Sequence, residues 1–152
     1  MKQLAFEPLR EIWGEYSLPD GVIVRARSQL VFVVSATDPQ GQNLNVRFVT
    51  SVSSLSPEEL HGDPSSVPVD FAKDAPARVY KEWSTVRPAE CYYLLEGGLV
   101  VLFQLRLTEI RRFSKFSTDR EPVIQVIAQT NIVISPSLTN LKAPEVVQAP
   151  PA

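Results

Sequence analysis

From residue 22 to residue 36 the even positions are all apolar or small: Val22, Val24, Ala26, Ser28, Leu30, Phe32, Val34 and Ala36. The odd positions open with Ile23, Arg25, Arg27 and Gln29. A period of two sustained over that length marks a half-buried strand, because successive side chains of extended backbone point to opposite faces. A second alternation runs from 44 to 52, with Leu44, Val46, Phe48, Thr50 and Val52 set against Asn45, Arg47, Val49 and Ser51. The connection Thr37-Asp-Pro-Gln-Gly-Gln42 supplies the Pro and Gly of a reversal, so an antiparallel hairpin is expected. Upstream, residues 12–18 followed by Pro19-Asp20-Gly21 read as another strand and a tight turn.

The second half repeats this style. Residues 90–95, the turn Glu96-Gly97-Gly98 and the run from Leu99 predict a hairpin, since paired glycines permit the turn's unusual dihedrals. Residues 123–135 return with Ile124, Val126, Ala128, Thr130, Ile132 and Ile134 on one side, and shorter extended pieces are expected at 67–71 and 79–86. Ser56-Pro-Glu-Glu59 has the pattern of a short capped helix. The expected fold is therefore all-β: an antiparallel β-sandwich or flattened β-barrel of seven or eight strands, with one short helix and an extended C-terminal tail. Residues 1–135 form the single β domain, and residues 136–152, with Pro136, Pro144, Pro150 and Pro151, form a proline-containing flexible tail.

At 152 residues, 44% hydrophobic and 21% charged, the chain is suited to one globular domain rather than a disordered or membrane-embedded one. Apolar runs stay shorter than the roughly 18 residues of a spanning helix. Glu7 and Pro8 stand where a secretory signal keeps an apolar core, so a cytoplasmic protein without a membrane partner is expected. Cys91 is the single cysteine, which leaves no internal disulfide framework or thiolate metal cluster and favours a buried structural thiol.

The stretch Leu99-Val-Val-Leu-Phe-Gln-Leu-Arg-Leu107 is apolar on both faces at its start, as is Leu30-Val-Phe-Val-Val34. An antiparallel strand of that kind needs a cover on its second side: a strand switching sheets, a loop folded over the outside, or another subunit. The subunit reading makes Val31, Val33, Val100 and Leu102 interface residues, with the large aromatics Trp13 and Trp83 as further anchors or as core packing. After Leu107 the next apolar residue is Ile110, which predicts a β-bulge near Thr108 or Glu109.

Ten of the fifteen basic residues are arginine, and Arg25, Arg27, Arg47 and Arg106 share the non-core parity of their strands. Together with Arg112 they could meet phosphate or carboxylate groups, although the net charge of -2 implies no bulk attraction to nucleic acid. His61 lies near Asp63 and Asp70, but no G-x-S-x-G elbow, helical H-E-x-x-H pair or phosphate-binding glycine loop accompanies it. No catalytic, cofactor or metal residue is assigned. The functional expectation is a non-enzymatic subunit or accessory module, forming a homo-oligomer or joining another protein subunit through its strand faces. The alternative is an arginine-faced barrel binding nucleic acid or another polyanion.

Overall fold

The computed structural model describes residues 2–38 and 41–136, and within them the chain is an all-β sandwich of two antiparallel sheets that pack together without closing into a barrel. Sheet I is built on β4 (Ile23–Asp38), which pairs along its length with β5 (Gly41–Leu55). On the other side of β4, β1 (Lys2–Leu4) and β3 (Gly14–Ser17) sit end to end, and β7 (Ser84–Arg87) extends the sheet beyond β3. Sheet II follows the same plan. Its long strand β9 (Val100–Phe116) pairs with β10 (Pro122–Ser135) on one side and with β8 (Glu90–Leu95) and β6 (Arg78–Tyr80) on the other, with β2 (Phe6–Ile12) beyond β8. Each sheet is thus one long hairpin flanked by short strands.

The alternating residues explain the packing. Val22, Val24 and Ala26 meet Leu105, Leu107 and Ile110, with Tyr16 and Tyr80 filling one end of the sandwich. Leu30 and Val33 meet Val101, Phe103, Tyr93 and Leu95 at the other. Phe103 packs its ring at 5.3 Å from Phe48 and 5.8 Å from Tyr93. The bulge expected after Leu107 is present: Ile127 pairs with Glu109 and Ala128 with Leu107, leaving Thr108 as the extra residue, its Oγ1 donating to the Ile127 carbonyl at 2.9 Å. Gly97 and Gly98, with φ of +93° and +96°, make the reversal between β8 and β9.

Ten strands are described where seven or eight are expected: β1 and most of β2 precede residue 12, where no strand is expected, and residues 79–86 divide between the sheets. The chain leaves sheet II after β2, passes Trp13 and enters sheet I at Gly14, where a Cβ would lie 2.5 Å from the Tyr16 hydroxyl and 2.9 Å from the Ala89 amide nitrogen. Residues 79–86 likewise split into β6 of sheet II and β7 of sheet I. Residues 67–71 form a loop rather than a strand. The expected helix is a 3-10 turn, Glu58–Leu60, with Pro57 as its N-cap and no side-chain cap bond. Ser56 instead donates its backbone N–H to Glu121, at 3.0 Å to Oε2 and 3.2 Å to Oε1.

The doubled apolar stretches have local causes. In β4, Leu30 pairs with Phe48 and Phe32 with Arg47, so Val31 is a second bulge. It transfers the inward parity from even to odd, and Val33, expected on an outer face, is fully buried in the core between the sheets. In β9, Val100 and Leu102 do face outward, where they pack with Tyr92, Leu94 and Val133 and are each only 2% exposed. Further along β9 the loop between the 3-10 turn and β6 folds over the outside: Phe71 packs edge-on against Phe113 at 5.3 Å, and Lys115 Nζ donates to the Pro68 carbonyl and to Asp74 Oδ2. Among the described residues, no helix is long and apolar enough to cross a membrane. The expected tail lies outside the described residues from position 137 onward.

Candidate interaction surface

Among the described residues, one long side of the sandwich is open. Ser28, buried in β4, has its hydroxyl 3.0 Å from both Thr50 Oγ1 of β5 and Thr130 Oγ1 of β10, which places the edge strand of sheet I beside the edge strand of sheet II. Leu44, Val46 and Phe48 on β5 pack only partly against the core. Val52 on β5 is 40% exposed, and Ile132 and Ile134 on β10 are 38% and 42% exposed, although all three carry the inward parity of their strands. Among the described strands, only β4 pairs with β5 and only β9 with β10.

The edges differ in how they meet solvent. Natural sheets discourage stray pairing with short edge strands, charges or proline. β1, β6 and β7 are three or four residues long, and β2 carries Glu7, Pro8, Arg10 and Glu11. By contrast, β5 has fifteen residues with Arg47 as its one charge, and β10 has fourteen with no charge and a proline only at its start. The open side is therefore bordered by two long edges that lack those protections.

The arginines divide. Arg25, Arg27 and Arg47 share the outer face of sheet I, where the guanidinium of Arg27 lies 4.5 Å and that of Arg25 5.8 Å from the Trp13 ring centroid, and Arg47 lies 5.6 Å from Phe32. Arg25 is 3.8 Å from Glu15, and Arg27 donates to the Glu11 carbonyl at 3.4 Å. Arg106 is on the outer face of sheet II, opposite Gln129, and so is separated from these three. Arg112 points toward the end of the core, donating to the Tyr80 hydroxyl, which donates in turn to Asp20 Oδ2 at 2.5 Å. Of the remaining expected contact residues, Val31 is 47% exposed and Trp83 is half-buried against the core. The expectation missed β5 and β10 as edges because alternation gives each strand's faces but not its neighbours.

His61 does meet a serine and a carboxylate, though not as a catalytic set. Its Nε2 lies 3.1 Å from the Ser56 carbonyl and 3.2 Å from Glu121 Oε1, between two acceptors, so that nitrogen acts as a donor and is not available as a base for the Ser56 hydroxyl. The contacts clasp the 3-10 segment to the turn between β9 and β10. A cavity of about 180 Å³, lined by Val69, Asp74, Phe113 and Lys115 among others, lies under the covering loop. That is below the roughly 300–1,000 Å³ of small-molecule sites. Among the described residues no group of three His, Cys, Asp or Glu side chains could hold a metal ion. Burial pushes the Cys91 thiol up to about 11, keeping it protonated at neutral pH. No protein-family model, curated protein or solved structure matches this chain.

Proposed function

We propose that this protein is a non-enzymatic β-sandwich module of a protein assembly, working in the cytoplasm and binding its partner through the open side bordered by β5 and β10. The carrying observation is the pairing of two long, adjacent edge strands with Arg47 as their single charge. Strand addition is the mode such edge strands favour, and the part-exposed Val52, Ile132 and Ile134 supply apolar area to accompany it. A lone free thiol is ordinary in a reducing compartment. The contact surface proposed here replaces Val33, which lies in the core between the sheets, and Val100 and Leu102, which are buried by packing within the chain.

The test is the size of the species that contains this chain in extracts of its native cells, by gel filtration. The wild type should elute well above its 16.9 kDa protomer mass, and Val52→Glu with Ile132→Glu, at positions already touching water, should return it toward that mass. A wild type that elutes as a lone protomer in the extract overturns the reading. The second reading, polyanion binding, is favoured by the grouping of Arg25, Arg27 and Arg47 on one face. It requires retention on heparin that falls steeply with salt and is lost on Arg25→Glu with Arg47→Glu.

A further inference from the structure

We infer that the partner at this open side includes a second copy of the same chain, joined by antiparallel pairing of β10 with β10 across a two-fold axis. The inference rests on the proposed function and names its occupant. An isologous contact brings a surface against itself, so any charge near the axis meets its own kind. Over residues 124–134 β10 reads Ile-Gln-Val-Ile-Ala-Gln-Thr-Asn-Ile-Val-Ile, and no register of self-pairing creates a like-charge conflict within it. β5 is less suited to self-pairing because Arg47 projects from its middle. Contacts between different proteins are commonly selected through complementary charge, and β10 offers none.

Geometry and size agree with this assignment. β9 holds one side of β10, so a second copy on the other side would continue sheet II into a single sheet running through both protomers. Centred on Thr130, the pairing sets Gln129 opposite Asn131 of the other copy and the half-exposed Ile132 and Ile134 opposite its Ala128 and Val126, and β5 of each protomer, next to β10 through the Ser28 hydroxyl, would flank the join. The fifteen residues of β5 and fourteen of β10 together fall within the roughly 20–30 residues that each side of a stable interface engages.

The test uses the purified full chain and light scattering at micromolar concentration. A mass of twice 16.9 kDa is expected. Two variants then place charge on the exposed outer side of β10: Gln129→Lys with Asn131→Lys, and Gln129→Glu with Asn131→Glu. Each alone should dimerise at least about tenfold more weakly, and an equimolar mixture of the two should recover dimers at the wild-type level, a recovery that also demonstrates both variants are folded. Gln3→Lys on β1, which lies across β4 from β5, should leave the dimer intact. A purified wild type that stays monomeric, a dimer indifferent to the β10 charges, or one abolished by Gln3→Lys each overturns the inference. A monomer in pure form that is nevertheless part of a larger species in the cell extract would defeat the second copy while leaving the assembly reading standing.

Discussion

At the scale of single residues, the interior holds a few polar groups whose partners define the register of the sandwich. The Ser28 hydroxyl is the clearest case, because it is 1% exposed and bridges Thr50 and Thr130 from two different sheets. Ser28→Ala removes the bridge and leaves those hydroxyls to find other partners, so a loss of about 1–3 kcal/mol is expected in urea unfolding. An unchanged midpoint would mean that water replaces it without cost. Cys91 and Tyr93 give a second prediction, through pH. Burial first, and for Tyr93 also its donated bond to Glu11, pushes both groups above their ordinary values, the thiol from 9.0 to about 11. A raised group contributes stability that is fully present below its unfolded value and disappears as pH climbs through its folded one. Stability should therefore decline as pH rises from about 9 to 11, less steeply in Cys91→Ala once its own loss of stability is subtracted. At pH 8 the native thiol should react with a maleimide far more slowly than the unfolded one. Equal rates would show that Cys91 is not buried in solution.

At the scale of elements, the two long strands obtain their form from bulges placed near their middles. Thr108 and Val31 play the same part in β9 and β4, each shifting the inward parity by one. Inserting an alanine after Thr108 would force Glu109 and Arg111 toward the core in place of Ile110, and a near-complete loss of cooperative unfolding is expected by calorimetry. Survival of a sharp transition would mean that the ladder can absorb the slip. The Thr108 bulge was legible in the sequence because Leu107 and Ile110 are separated by two polar residues, which exposes the break in phase. The Val31 bulge was not. Residues 30–34 are all apolar, so a change of phase there leaves no contrast between faces, and a kink in one strand reads as a strand with two greasy sides. β1 and β2, and with them the crossing between sheets at Trp13 and Gly14, were not legible either, because residues 2–11 mix charges with Pro8 and carry no sustained alternation. The long strands and the all-β antiparallel class were readable from alternation, whereas β1 and β2 were not and residues 67–71 gave a false strand. Which strands became edges, and hence where the candidate surface lies, depends on pairings between residues as far apart in the chain as Phe6 and Leu95, which periodicity cannot carry.

At the scale of the whole molecule, neither half of the chain completes a sheet. Sheet I takes β1, β3, β4 and β5 from the first part and β7 from the second, whereas sheet II surrounds β8, β9 and β10 with β2 and β6. The two parts are therefore interlocked, and the covering loop between the 3-10 turn and β6 is the natural place to show it. Lys73 is exposed in that loop, where the backbone is in turns rather than in either ladder, and it should be the first bond cut by trypsin under native conditions. Cutting there severs the covalent link but leaves the pairing of β2 with β8, the pairing of β3 with β7 and both core clusters in place. Expected on gel filtration is a nicked protein that elutes as the intact one does and separates into two fragments only in denaturant. Each fragment, refolded alone, should lack near-ultraviolet circular dichroism, because the first keeps β2 without its partner β8 and the second keeps β7 without β3. Fragments that part in native buffer, or a first fragment that folds unaided, would show that the long hairpins are independent units, and the open side between β5 and β10 would then be a hinge between them rather than a fixed surface. Coelution keeps those two edges at the spacing set by Ser28, which a strand-pairing partner needs in order to find them together.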